Sequence, residues 1–132
     1  MTDTDYALVR ELPDMDYETA VARVTELLAG EGFGVLTEID VKATLKKKLD
    51  VDFKRYVILG ACNPPMAHQA LSMEPDIGVL LPCNVCVSES DGGGTRVAAM
   101  NPAAAFPLIG NPAITGVADE VRVRLQRVVD AL

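Results

Sequence analysis

Apolar positions recur along this chain with two different periods, and the change from one to the other marks out its elements. Between Tyr17 and Leu28 the residues Tyr17, Ala20, Val21, Val24, Leu27 and Leu28 fall at helical spacing, the single stripe of an amphipathic helix. Asp14 or Asp16 is placed to cap its start, and Glu18 lies where the helix dipole favours an anion. Gly30 and Gly32 follow, residues that readily take the left-handed conformation ending a helix. The same period in Val117, Val121, Leu125, Val128, Val129 and Leu132 predicts a last helix from near Thr115. Two shorter helices are expected. One follows Asp40, anchored by Val41, Leu45 and Leu49. The other runs from about Pro64 to Met73, because Asn63 before Pro64 reads as an N-cap followed by proline at the first helical position.

Alternation with a period of two marks the strands. Tyr6 to Leu12 reads as a first strand, with Tyr6, Leu8 and Leu12 on one face. In "FGVLTEID" Phe33, Val35, Thr37 and Ile39 face one way and Leu36, Glu38 and Asp40 the other, as in a sheet covered on one side. "RYVILGACN" is apolar on both faces and reads as a central strand. From Asp76 onward, Val79, Leu81, Cys83, Val85 and Val87 share a face, with Pro82 marking an edge or bulge. The turn Asp91–Gly94 joins this strand to "TRVAAMNP" as a hairpin, and "NPAAAFPLIGNPAIT" reads as irregular. The order is β-α-β-α-β-α-β-β-α. It predicts an α+β two-layer sandwich, a largely antiparallel mixed sheet with helices packed on one face.

Composition narrows the class. The 132 residues suit a single domain spanning 1–132, and 49% hydrophobic content is enough for a core. With three Phe, three Tyr and no Trp, that core must be aliphatic. A net charge of −7 argues against nucleic acid as a partner. The one basic cluster, Lys42, Lys46, Lys47 and Lys48, reads as a solvated helix face. Apolar runs fall well short of the ~20 residues of a membrane span. The N-terminus is acidic and lacks the apolar core of a secretion signal, so a cytoplasmic location and no membrane partner are expected. Three cysteines, an odd number, are expected as free thiols or metal ligands in a reducing compartment.

The candidate chemistry lies in "GACNPPMAHQA" and "LPCNVC". Cys62 ends a central strand just before a helix start, where backbone N–H groups and the helix dipole favour a thiolate. The bland reading is a small buried residue at a strand–helix junction. His68 lies beyond it as a ligand or proton shuttle, or as a surface histidine. Met66 and Met73 offer thioethers to Cu(I), or simply fill the core. Cys83 and Cys86 have CxxC spacing, but residues three apart on a strand point to opposite faces, which opposes a shared disulfide or metal. "DGGGTR" lies between strands and lacks the helix of a phosphate loop.

Ile39-Asp40-Val41, Lys47-Lys48-Leu49, Ala61-Cys62-Asn63-Pro64 and Leu81-Pro82-Cys83-Asn84 together make the chain resemble domain-of-unknown-function family 302 over nearly its whole length. The resemblance implies a small α/β domain that forms homodimers. It singles out Cys62-Asn63 and Cys83-Asn84 as a pair and leaves Cys86 outside the motif. It also includes Asp40 and Lys48, as a cap and a charge-pairing residue.

Three functions follow as expectations. The first is a domain that binds a small ligand or soft metal, Cu(I) or Zn(II), in a Cys/Asn pocket. Its residues are Cys62, Asn63, His68, Cys83 and Asn84, with Cys62 and Cys83 as the metal ligands. The second is a thiol-based redox enzyme or sensor using Cys62. The third is a structural homodimeric interaction module with inert buried cysteines and an apolar patch at Phe106, Leu108 and Ile109.

Overall fold

The computed structural model describes residues 5–132; the first four residues of the expected domain lie outside the described residues. Five strands, β1 (Ala7–Leu12), β2 (Gly34–Asp40), β3 (Tyr56–Cys62), β4 (Cys83–Glu89) and β5 (Thr95–Met100), form one sheet in the order β1-β5-β4-β3-β2. Every neighbouring pair is antiparallel, so the sheet is uniform rather than mixed. The helices are α1 (Tyr17–Gly30), α2 (Val41–Leu49), α3 (Pro64–Met73), a short α4 (Pro102–Ala105) and α5 (Pro112–Asp130). The α+β class and the order of the main elements are those the periodicity predicts.

The pleat sorts the strand residues. Leu59 and Ala61 of β3, Cys83, Val85 and Val87 of β4, and Val97 and Ala99 of β5 join Ala20, Val24 and Leu28 of α1 in one core. Ala70 of α3 and Ile114, Val121, Leu125 and Val128 of α5 complete it. The core is aliphatic except for Phe33, Phe106 and the Cys83 thiol. Each fully buried leucine, such as Leu28, Leu59 or Leu125, contributes about 2 kcal/mol through the area it removes from water.

Caps explain the helix starts. Asp16 accepts from the Thr19 N–H at 2.7 Å, and Asp40 from the Ala43 N–H at 2.9 Å. Each Asn-Pro pair in the chain opens a helix. Asn63, Asn101 and Asn111 cap α3, α4 and α5, each accepting a backbone N–H. Hence α5 begins at Pro112, ahead of Thr115, and part of the stretch expected to be irregular is helical.

Three further differences have local causes. Residues Pro75–Leu80 form a 3-10 helix, and β4 begins only at Cys83. Three residues per turn put Ile77 and Leu80 inward together, which leaves Val79 86% exposed instead of on a strand face. Pro82 cannot donate to the ladder, so pairing starts after it. Phe106 is 4% exposed and belongs to the core, so the expected apolar patch keeps only Leu108 as a fully outward residue. β2 is an edge strand with a register shift between Val35 and Thr37. Past the shift its residues are exposed rather than half-covered.

Gly94 turns at φ +78°, and a Cβ there would lie 2.5 Å from the Leu12 carbonyl oxygen and 2.6 Å from Pro13 Cα. Gly93 turns at φ +94° into open space. Gly94→Ala is expected to cost about 2–3 kcal/mol, about 1–2 kcal/mol more than Gly93→Ala, because only the former adds a backbone collision to the conformational strain. Urea unfolding of the two variants checks this; equal losses would remove the collision as the cause.

Candidate ligand groove and the cysteines

The face of the sheet opposite the helices is built by register. Val9 stands opposite Ala98, Ala98 opposite Cys86, and Cys86 opposite Ile58, one row across four strands. The next row is Glu11, Arg96, Ser88 and Tyr56. Asn84 stands opposite Gly60. A Cβ on Gly60 would collide with the Thr37 hydroxyl and lie 2.8 Å from Pro82 Cγ. The missing side chain therefore lets Pro82, which follows a cis Leu81–Pro82 bond, lie down over β3. Segment Val79–Pro82, which precedes β4, and Ala104, Ala105 and Leu108, which follow β5, also line this face.

With the strands they line a groove of about 700 Å³. Small residues, Ala7 and Ala98 among them, help line it. Its polar groups, among the described residues, are Tyr6, Tyr56, Asn84, Cys86, Arg96 and Asn101. The Tyr56 hydroxyl is pushed up to about 12, first by its hydrogen bond with the Cys86 side chain and then by burial. Tyr56 therefore keeps its proton at neutral pH and retains its donor. Arg96 Nη1 donates to Glu11 Oε2 at 2.7 Å, and the Ser90 hydroxyl donates to Glu11 Oε1 at 3.0 Å. Burial works against the Glu11 charge, but these two hydrogen bonds and the Arg96 charge outweigh it and hold the carboxyl below its ordinary value.

The sequence candidates are divided by this geometry. Asn84 is exposed and lines the groove. Cys62, Asn63 and Cys83 line a different cavity, under α3, of about 30 Å³. That is room for about one water, so a Cys/Asn pocket for an organic ligand has no space there. Asn63 is spent on structure. Its oxygen caps α3 from 3.3 Å, and its amide reaches the Glu31 carbonyl at 3.5 Å. Ala61, not Cys62, stands opposite Cys83 in the ladder. The Cys83 thiol is pushed up to about 11, by burial first and by the neighbouring Cys62 second. Both effects oppose the thiolate that Cu(I) or Zn(II) requires. His68 is an exposed residue of α3. Among the described residues no three His, Cys, Asp or Glu side chains converge as a metal site. Asp40 does cap α2, whereas the α2 lysine seen paired with acids is Lys46, with Asp50 and Asp52, and not Lys48.

Tyr56, Cys86 and Arg96 are the groove residues that the motif comparison passes over. Their signal is the second face of each strand. In "CNVCVSE" Asn84 and Cys86 alternate with the buried Cys83, Val85 and Val87, and in "TRVAAM" Arg96 and Ala98 alternate with Thr95, Val97 and Ala99.

Cys83 is expected to be alkylated far more slowly than Cys86 in the folded protein. At pH 8 its thiolate fraction is about a hundredth of that of a thiol at the ordinary 9.0. The linkage has a definite sign. Between pH 9 and 11 the unfolded chain loses this proton while the folded chain keeps it, so stability falls as pH rises through that range. Cys83→Ala should flatten that part of the stability curve. Mass spectrometry after timed alkylation, and denaturation at stepped pH, check both; Cys83 labelling as fast as Cys86 would contradict the first.

A family model described as "Domain of unknown function DUF302" matches residues 9–132. The chain is also similar to the crystal structure of an uncharacterised conserved DUF302 protein from Bacillus stearothermophilus. The two share 28% identity with a TM-score of 0.87, over 95% of this chain and 96% of that one. No curated protein matches the chain. Among the described residues no helix is long and apolar enough to cross a membrane. By the extent of the family match, this chain belongs to the DUF302 family.

Proposed function

We propose that this domain binds a small molecule with an apolar body in the groove over the open face of the sheet. The observation that carries this reading is the groove itself, about 700 Å³ with mainly apolar walls and a few polar groups among them. Small-molecule sites have this size and this mixture, where apolar walls supply affinity and a few polar groups fix orientation. Asn84 remains a site residue in this reading, joined by Tyr56 and Cys86. Cys62, Asn63, His68 and Cys83 are not part of it, and a thiol chemistry at Cys62 would lie outside the groove. The three free thiols fit a reducing compartment such as the cytoplasm.

A second surface favours a second copy of the chain. β2 is an open sheet edge, and α2 beside it buries no residue. Leu36 (67% exposed), Ile39 (47%), Leu49, Val51 and Phe53 are exposed on this arm. An edge strand with free ladder groups and exposed apolar side chains is a template for pairing with another strand, and homodimerisation would cover it.

The groove is tested with N-phenyl-1-naphthylamine, a neutral apolar dye whose fluorescence rises on leaving water. Ala98→Phe fills the groove from its floor without entering the core, and should weaken dye binding by at least about tenfold. Unchanged binding would overturn the groove as the site. For the dimer, Ile39→Lys should weaken self-association by at least about tenfold in sedimentation equilibrium, with unchanged circular dichroism. An unaltered monomer–dimer equilibrium would reject this edge.

A further inference from the structure

We infer that the groove's ligand is a small monoanion, a carboxylate on an apolar body, with its charge held by Arg96. The inference rests on the groove being the binding site and adds the class of ligand. Arg96 is the one charged residue among the described residues that line the groove, in a chain whose net charge is −7. A guanidinium in a mainly apolar cleft of an acidic protein makes that cleft attractive to anions.

The setting of Arg96 specifies the charge further. Its side chain is 26% exposed and that of its partner Glu11 34%, so water screens the pair only in part. Glu11 does not line the groove. It is fastened by Ser90 and Arg96 together, and holds the guanidinium through a single hydrogen bond, at Nη1. A guanidinium has five donors, so donors remain for a ligand. The planar fork matches a carboxylate, which can take two parallel hydrogen bonds. Glu11 already offsets part of the positive charge, so one added negative charge is accommodated and a dianion such as a phosphate monoester is disfavoured. Arg96 and Tyr56 stand in one row of the sheet with Ser88 between them, so both face the same floor. Tyr56 stays neutral and so presents no competing anion. Leu80, Leu81, Leu108, Ala104 and Ala105 supply the apolar wall for the ligand's body.

The test uses octanoate and 1-octanol, equal in chain length, as competitors of N-phenyl-1-naphthylamine at pH 7. Arg96→Met should weaken octanoate by about tenfold and leave octanol unchanged within about twofold. Glu11→Gln should act in the opposite direction and strengthen octanoate severalfold, because it removes the carboxylate that offsets Arg96 while keeping the shape of the side chain. Opposite movement of octanoate in the two variants, with octanol constant, supports the inference. If octanoate and octanol shift together in either variant, or Glu11→Gln does not strengthen octanoate, the inference is overturned while the groove remains the binding site. If neither competitor displaces the dye and Ala98→Phe leaves dye binding unchanged, the groove reading itself has failed, and the inference with it.

Discussion

The pairing of Ala61 with Cys83 between β3 and β4 is the constraint on which the rest of the molecule depends. A slip of one residue would send every side chain of a strand to the opposite face. In the observed register Leu59, Val85 and Val87 meet the helix layer, and Tyr56, Asn84 and Cys86 meet the groove. Core and candidate site are therefore two readings of one ladder. The core face supplies the free energy of burial. That stability allows the opposite face to remain uncovered and to carry polar groups that no core would tolerate unpaired.

Glycine and proline place the groove wall. Gly60 has no side chain, and the Pro82 ring and the Thr37 hydroxyl take up the space a Cβ would fill. Pro82 also delays the start of β4, so the chain before it curls into a 3-10 helix beside the sheet instead of extending it. Backbone chemistry thus shapes the cleft, and side-chain chemistry furnishes it. Arg96 illustrates the second part, since its position is set jointly by β5 and by Glu11 on β1.

Much of this was legible in the chain. The apolar stripes of α1 and α5 follow from their 3.6-residue period, and the buried face of β4 from Cys83, Val85 and Val87. Asn63-Pro64 reads correctly as a helix start, and the same chemistry operates at Asn101-Pro102 and Asn111-Pro112, where it is hidden within an apolar, proline-rich stretch. The separation of Cys83 from Cys86 also follows from the pleat, one thiol buried and the other lining the groove. Val79 and Phe106 were not legible. Val79 fits the alternation of the following strand although it belongs to a tighter helix, and Phe106 sits in a loop-like sequence that the fold draws into the core.

The sequence by itself determined the main strands and helices, their order and the residues most of them bury, because periodicity reports how a segment meets an apolar surface. It also determined the family, through four short motifs. The tertiary structure alone decided which residues meet across strands. It placed Cys62 out of register with Cys83, left β2 uncovered at the edge, and gathered Tyr56, Cys86 and Arg96 from three strands over one floor. The physical reason is that a side chain's own face is a local property, set by two or three neighbours in the chain. Its partners across a sheet depend on register and loop path, which are fixed only when the whole core closes.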